Sequence, residues 1–96
     1  MSAYIIIRIN ITNPEAIKDY QVSTPPIVEK YNGKFIARGG EVVTLEGQTE
    51  DRRIIMIEFQ TMSEAKAFYN SPEYTKVKKL REGFAEAEFI AVEGVN

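Results

Sequence analysis

At 96 residues, 44% hydrophobic and 27% charged, the chain has the size and composition of one globular domain spanning residues 1–96. Its net charge of −2 offers no basic footprint for nucleic acid or an anionic membrane surface. It contains no Cys, His or Trp, which excludes disulfides, thiolate metal sites and the usual general base of neutral-pH catalysis. No cofactor or metal motif is expected.

No basic leader with a cleavable apolar stretch precedes the first strand, and no apolar run approaches the ~20 residues that span a bilayer. The expectation is a cytoplasmic protein without a membrane partner. A domain this small buries only a modest share of its surface, so self-association is a natural way to bury more.

Ile-rich Tyr4–Ile11 reads as a strand. Asn13-Pro14-Glu15 resembles a helix start, with a capping Asn, a first-turn Pro and an acidic residue at the positive helix end. Pro25-Pro26 should break or kink this helix near Thr24, with Ser23 or Thr24 capping a restart, and Asn32-Gly33 should end it. Lys34–Arg38 is a second strand, which Gly39-Gly40 should break or bulge and Glu41–Leu45 should continue. Gly47–Asp51 is a polar turn and Arg52–Phe59 a third strand. Thr61-Met62-Ser63-Glu64 matches a capping box, and Asn70-Ser71-Pro72-Glu73 a break and restart. In the restarted helix Tyr74, Val77 and Leu80 should face inward, while Lys76, Lys78, Lys79 and Arg81 are solvated and Gly83 stops the helix. Glu86–Val92 is the last strand.

The order β-α-β-β-α-β predicts a ferredoxin-like α+β fold. Right-handed crossovers put the first and third strands in the middle of a four-stranded antiparallel sheet, with both helical regions on one face. Strand alternation sorts the residues. Ile5, Ile7, Ile9, Phe35, Ala37, Ile55, Ile57, Phe59, Ala87, Phe89 and Ala91 form a wholly apolar set for the covered face. The helix-free face would carry Ile6, Ile36, Ile54, Met56, Ile90 and Val92 together with Tyr4, Arg8, Arg38, Glu58 and Glu88. An apolar patch of this extent marks an interface, so a second copy of the chain is the expected partner.

The blocks Phe35-Ile36-Ala37-Arg38-Gly39-Gly40, Leu45-Glu46-Gly47, Ile57-Glu58-Phe59, Ala67-Phe68-Tyr69-Asn70-Ser71-Pro72-Glu73-Tyr74 and Val92-Glu93-Gly94 follow in that order. In this pattern the chain resembles the DUF1330 family of the dimeric α/β-barrel superfamily, over nearly its whole length. The resemblance implies two ferredoxin-like sheets facing each other across a dimer axis. Superfamily relatives include cofactor-free monooxygenases, a lactone isomerase and haem-handling enzymes. Several rely on a His, which this chain lacks.

Three readings of function stay open. In the first, the protein is a cofactor-independent enzyme acting on a small anionic or carbonyl-bearing metabolite held between the two sheets. Arg38 and Glu58 are then the candidate catalytic residues: Arg38 grips a carboxylate or enolate and desolvated Glu58 moves a proton. Tyr4, Arg8 and Glu88 are candidate ligand-binding residues. In the second reading the same pocket binds a metabolite without turnover. In the third the dimer is structural, and Arg8, Glu58 and Glu88 are cross-strand ion pairs that set register.

Overall fold

A computed structural model describes residues 1–95. Four strands, β1 (Ala3–Ile11), β2 (Lys34–Arg38), β3 (Arg53–Phe59) and β4 (Ala85–Glu93), form one sheet in the order β2-β3-β1-β4, and every neighbouring pair is antiparallel. Three helices, α1 (Lys18–Lys30, entered through a 3-10 turn at Glu15–Ile17), α2 (Met62–Tyr69) and α3 (Pro72–Lys78), complete the ferredoxin-like α+β fold expected from the strand and helix pattern. Among the described residues no helix is long and apolar enough to cross a membrane.

The alternating burial of β1 follows its sequence: Ala3, Ile5, Ile7 and Ile9 are buried against the helices, and Tyr4, Ile6 and Arg8 between them are only partly covered. Ile57 and Phe59 of β3 join the same core, together with Ile17 and Val28 from the first helical segment and Phe68 and Tyr74 from α2 and α3. Phe68 packs between Phe59 and Tyr74, with ring centroids 5.5 and 4.9 Å away. Each such side chain contributes about 1.5–3 kcal/mol on burial, so this cluster fixes the helices over one face.

Two of the predicted helix starts are capped by side chains. Thr61 Oγ1 accepts the Glu64 N–H at 3.1 Å, and Ser71 Oγ accepts the Tyr74 N–H at 3.0 Å. Asn32 takes the left-handed conformation that ends α1 (φ 65°). A Cβ on the next residue, Gly33, would stand 2.6 Å from the Phe59 ring, so only glycine lets β2 leave the helix there.

Three expectations are corrected. First, α1 is not broken at Pro25-Pro26; it runs as one helix from Lys18 to Lys30, and its irregular junction lies earlier, at Ile17. Thr24 caps no restart; its hydroxyl donates to Tyr20 O at 2.7 Å. Both prolines are absorbed because their missing N–H groups leave only Gln21 O and Val22 O without their usual partners in the i→i−4 ladder. Second, Glu41–Leu45 does not extend the second strand, and the bulge lies not at Gly39-Gly40 but between Phe35 and Ala37. Third, α3 ends at Lys78 rather than reaching Gly83, and the turn beyond it exposes Leu80 and buries Arg81.

Glu73 ties the end of α1 to the start of α3. It pairs with Lys30 and accepts the Tyr31 phenol O–H at 2.9 Å. The hydrogen bond from Lys30, the largest influence on it, holds its carboxyl at about 2, below the ordinary 4.5. A carboxyl depressed in the folded state stabilises the fold above its unfolded pKa, and that contribution is lost as pH falls through the folded value. Wild-type protein should therefore lose thermal stability steadily between about pH 4.5 and pH 2. A Glu73→Gln variant should start lower at pH 7 and fall less over the same window. Parallel melting-temperature curves for the two proteins would refute the clamp.

Candidate functional site

The helix-free face is built by the even-numbered residues that alternate with the core positions of β1, β3 and β4. Arg8 stands opposite Glu88 on one side and Ile54 on the other; Tyr4 stands opposite Val92 and Glu58. Arg8, Glu58, Glu88 and Tyr4 thus share the face that parity assigned to them, though not one spot. Glu58 lies beside Tyr4, whose phenol donates to it at 3.4 Å, four residues along β1 from Arg8. Neither Arg8–Glu58 nor Arg8–Glu88 forms an ion pair among the described residues.

The charges near Arg8 are instead organised by two residues of the turn before β3, Glu50 and Arg52. Arg8 Nε lies 3.3 Å from Glu50 Oε1. Arg52 grips Glu50 through Nε (2.8 Å) and Nη2 (3.0 Å), and its Nη1 reaches Glu88 at 2.7 Å. The fork from Arg52 holds the Glu50 carboxyl below the usual range. Two guanidinium groups and two carboxylates are therefore mutually satisfied, and they pin the 44–52 segment across the sheet, aided by the Glu50 N–H given to Thr44 Oγ1 at 2.8 Å. With Glu50 read in a polar turn and Arg52 as the first residue of the third strand, neither carried a signal in the sequence for this contact; β3 in fact begins at Arg53. Among the described residues no cluster of acidic groups could hold a metal ion.

Arg38 is not on this face, which corrects the expected convergence. Phe35 pairs with Ile57, but Ala37 pairs with Met56 and Arg38 with Ile55. Ile36 is the extra residue, and after it the strand alternates in the opposite sense. Arg38 consequently turns to the helix side with Ile55, stacks its guanidinium 4.6 Å from the Phe35 ring centroid, and donates to Gln21 O at 3.1 Å. That carbonyl is the one Pro25 leaves without its i→i−4 donor.

Arg38 also stands at the mouth of a cavity between sheet and helices. The walls include Ile7, Ile9, Ile55 and Phe35; Arg38, Arg53 and Gln21 are its polar rim. Neither arginine has a carboxylate partner among the described residues. Tyr20 and Tyr74 line the interior, their hydroxyls 2.7 Å apart. Burial, with the Tyr20 neighbour, pushes the Tyr74 phenol well above its ordinary value, so it stays protonated. The enclosed space is about 40 Å³, enough for on the order of one or two waters.

Comparison with known proteins supports this architecture. The chain aligns with RPA0582 of Rhodopseudomonas palustris, a protein of unknown function, at a TM-score of 0.75 and 16% identity over 99% of this chain and 83% of that one. SnoaB, a cofactor-independent oxygenase from Streptomyces nogalater, aligns at a TM-score of 0.69 and 8% identity, covering 99% and 94%. An ethyl tert-butyl ether d (ethd) family protein from Bacillus halodurans aligns at 0.58 and 14% identity, covering 99% and 99%. These likenesses are of fold. No curated protein matches the chain. Residues 2–95 match the family described as domain of unknown function (DUF1330), and the chain belongs to that family.

Proposed function

We propose that the protein is a homodimer closed through the helix-free face of the sheet, and that each protomer holds a small anionic or carbonyl-bearing metabolite at the mouth of its helix–sheet cavity, without a cofactor. The observation that carries the ligand site is the pair Arg38 and Arg53, two cations without carboxylate partners at the rim of an apolar cavity. On the open face the guanidinium groups of Arg8 and Arg52 are already occupied by Glu50 and Glu88. Tyr4, Arg8, Glu58 and Glu88 then serve the dimer interface, and Arg38 keeps its role of gripping an anion from the opposite side of the sheet.

The chemistry available at this rim is restricted. No carboxylate or His lines the cavity, and Tyr74 is held protonated. The residues can hold an anion and hydrogen-bond to it, but they cannot abstract a proton near neutral pH. Turnover is therefore confined to substrates acidic enough to arrive ionised, such as enols of 1,3-dicarbonyl compounds. The fold likeness to a cofactor-independent oxygenase is compatible with such a substrate and does not require one. Binding without turnover uses the same groups. A ligand body larger than the enclosed space needs α1 to move, and α1 is the wall that lacks two ladder hydrogen bonds.

The dimer rests on Ile6, Ile54, Met56, Ile90 and Val92, apolar residues on the face no helix covers. Met56→Asp or Ile54→Asp should strand a charge in that interface and give monomer or aggregate by light scattering. Wild-type protein that is monomeric at micromolar concentration would remove the interface.

Arg38→Met separates a ligand role from a structural one. Arg38 has a single hydrogen bond and no ion pair, so the variant should lose no more than about 1 kcal/mol without ligand. A thermal-shift screen of small carboxylates and 1,3-dicarbonyl compounds should find stabilising compounds for wild type whose effect disappears in the variant. Severe destabilisation of the unliganded variant, or undiminished stabilisation by those compounds, would overturn the assignment.

A further inference from the structure

A second cationic hollow lies across Tyr74 from the cavity, in a groove of about 430 Å³ between α2, the turn after α3 and β4. Lys66, Lys78 and Arg81 line it with Tyr69, Asn70 and Phe89, and its remaining lining residues are aliphatic. Three cations and no carboxylate gather here on a chain whose net charge is −2. None of the three takes part in an ion pair among the described residues.

Arg81 is the telling member. It is only 7% exposed, and its Nε–H has no hydrogen-bond partner. Its hydrogen bond, from Nη2 to the Tyr74 hydroxyl, is long at 3.5 Å. The rings of Tyr20 and Phe89 hold the guanidinium in place, with centroids 5.6 and 5.2 Å from its carbon. Burying a cation without a carboxylate is costly, and cation–π contacts recover only part of that cost. Lys78 is oriented toward the same groove by a 3.2 Å hydrogen bond to the Tyr69 hydroxyl, which uses one of its three donors.

We infer that this groove binds a small organic carboxylate with an apolar body, the carboxylate meeting Arg81 with Lys66 and Lys78 beside it, and the body lying against Phe89 and Tyr69. The planar guanidinium fork matches a carboxylate, and the aromatic walls favour a ligand with a hydrophobic body over a bare inorganic anion. The site is separate from the Arg38 rim and stands or falls without it.

The test is a heteronuclear NMR titration of the full chain with benzoate and, separately, with inorganic phosphate. Benzoate should give saturable shifts at the amides of Lys66, Asn70, Ala87 and Phe89 and bind on the order of tenfold more tightly than phosphate. The double variant Lys66→Gln, Lys78→Gln, at an exposed and a half-buried position, should fold as wild type and weaken benzoate binding by about tenfold. Arg81→Lys should abolish the saturable shifts while retaining the charge. Shifts confined to Gln21, Arg38 and Arg53 would place benzoate in the other cavity and overturn the inference. So would phosphate binding as tightly as benzoate, or the absence of saturation with either anion.

Discussion

A strand shows its residues to alternate faces, so one extra residue exchanges the faces of everything after it. In this protein that residue is Ile36, inserted between the Phe35–Ile57 and Ala37–Met56 pairs. Without it Arg38 would sit on the helix-free face with Arg8, where Glu50 and Glu88 would have one more guanidinium group to satisfy. With it, the open face carries a balanced set of charges and the helix side receives a cation that no carboxylate neutralises. The division between a face of mutually paired charges and a helix side holding an unneutralised cation follows from this single register shift.

Two other features meet at the same place. Pro25 and Pro26 stand inside α1, where each removes a backbone donor. Arg38 Nη2 donates to the Gln21 carbonyl that Pro25 leaves free, so the proline and the bulge complete one another: one supplies an acceptor and the other delivers the donor. Deeper in the helix layer, the paired hydroxyls of Tyr20 and Tyr74 separate the cavity from Arg81. The two tyrosines carry their hydroxyls through the apolar core by pairing with each other, and Tyr74 also takes a hydrogen bond from Arg81.

Much of the architecture was legible in the residues. Alternating Ile in β1, the Thr61 and Ser71 caps and the Asn32-Gly33 stop state their elements through local chemistry, and local chemistry is what a sequence displays. The open placement of Arg8, Glu58 and Glu88 followed from strict alternation. What failed were features decided between elements. The bulge is set by how β2 meets β3, and Gly39-Gly40 looked like its natural seat because glycine tolerates irregular backbone; Gly39 instead takes positive φ just after the strand. The prolines looked like a break because each disrupts an isolated helix, whereas tertiary packing of Ile17, Thr24 and Val28 holds α1 together across them. Arg81 looked solvated because helical periodicity was extended beyond Lys78, where the helix has already ended. Glu50 and Arg52 belong to a turn whose position over the sheet no local pattern reveals.

The register of β2 against β3 is the point on which the placement of Arg38 turns, and solution NMR measures it directly. Cross-strand nuclear Overhauser contacts should pair Ala37 with Met56 and Arg38 with Ile55, and the Arg38 side chain should show contacts to Gln21 of α1. Contacts pairing Ile36 with Met56 and Arg38 with Ile54 would describe an unbulged strand, return Arg38 to the helix-free face, and contradict the division of the two faces described above.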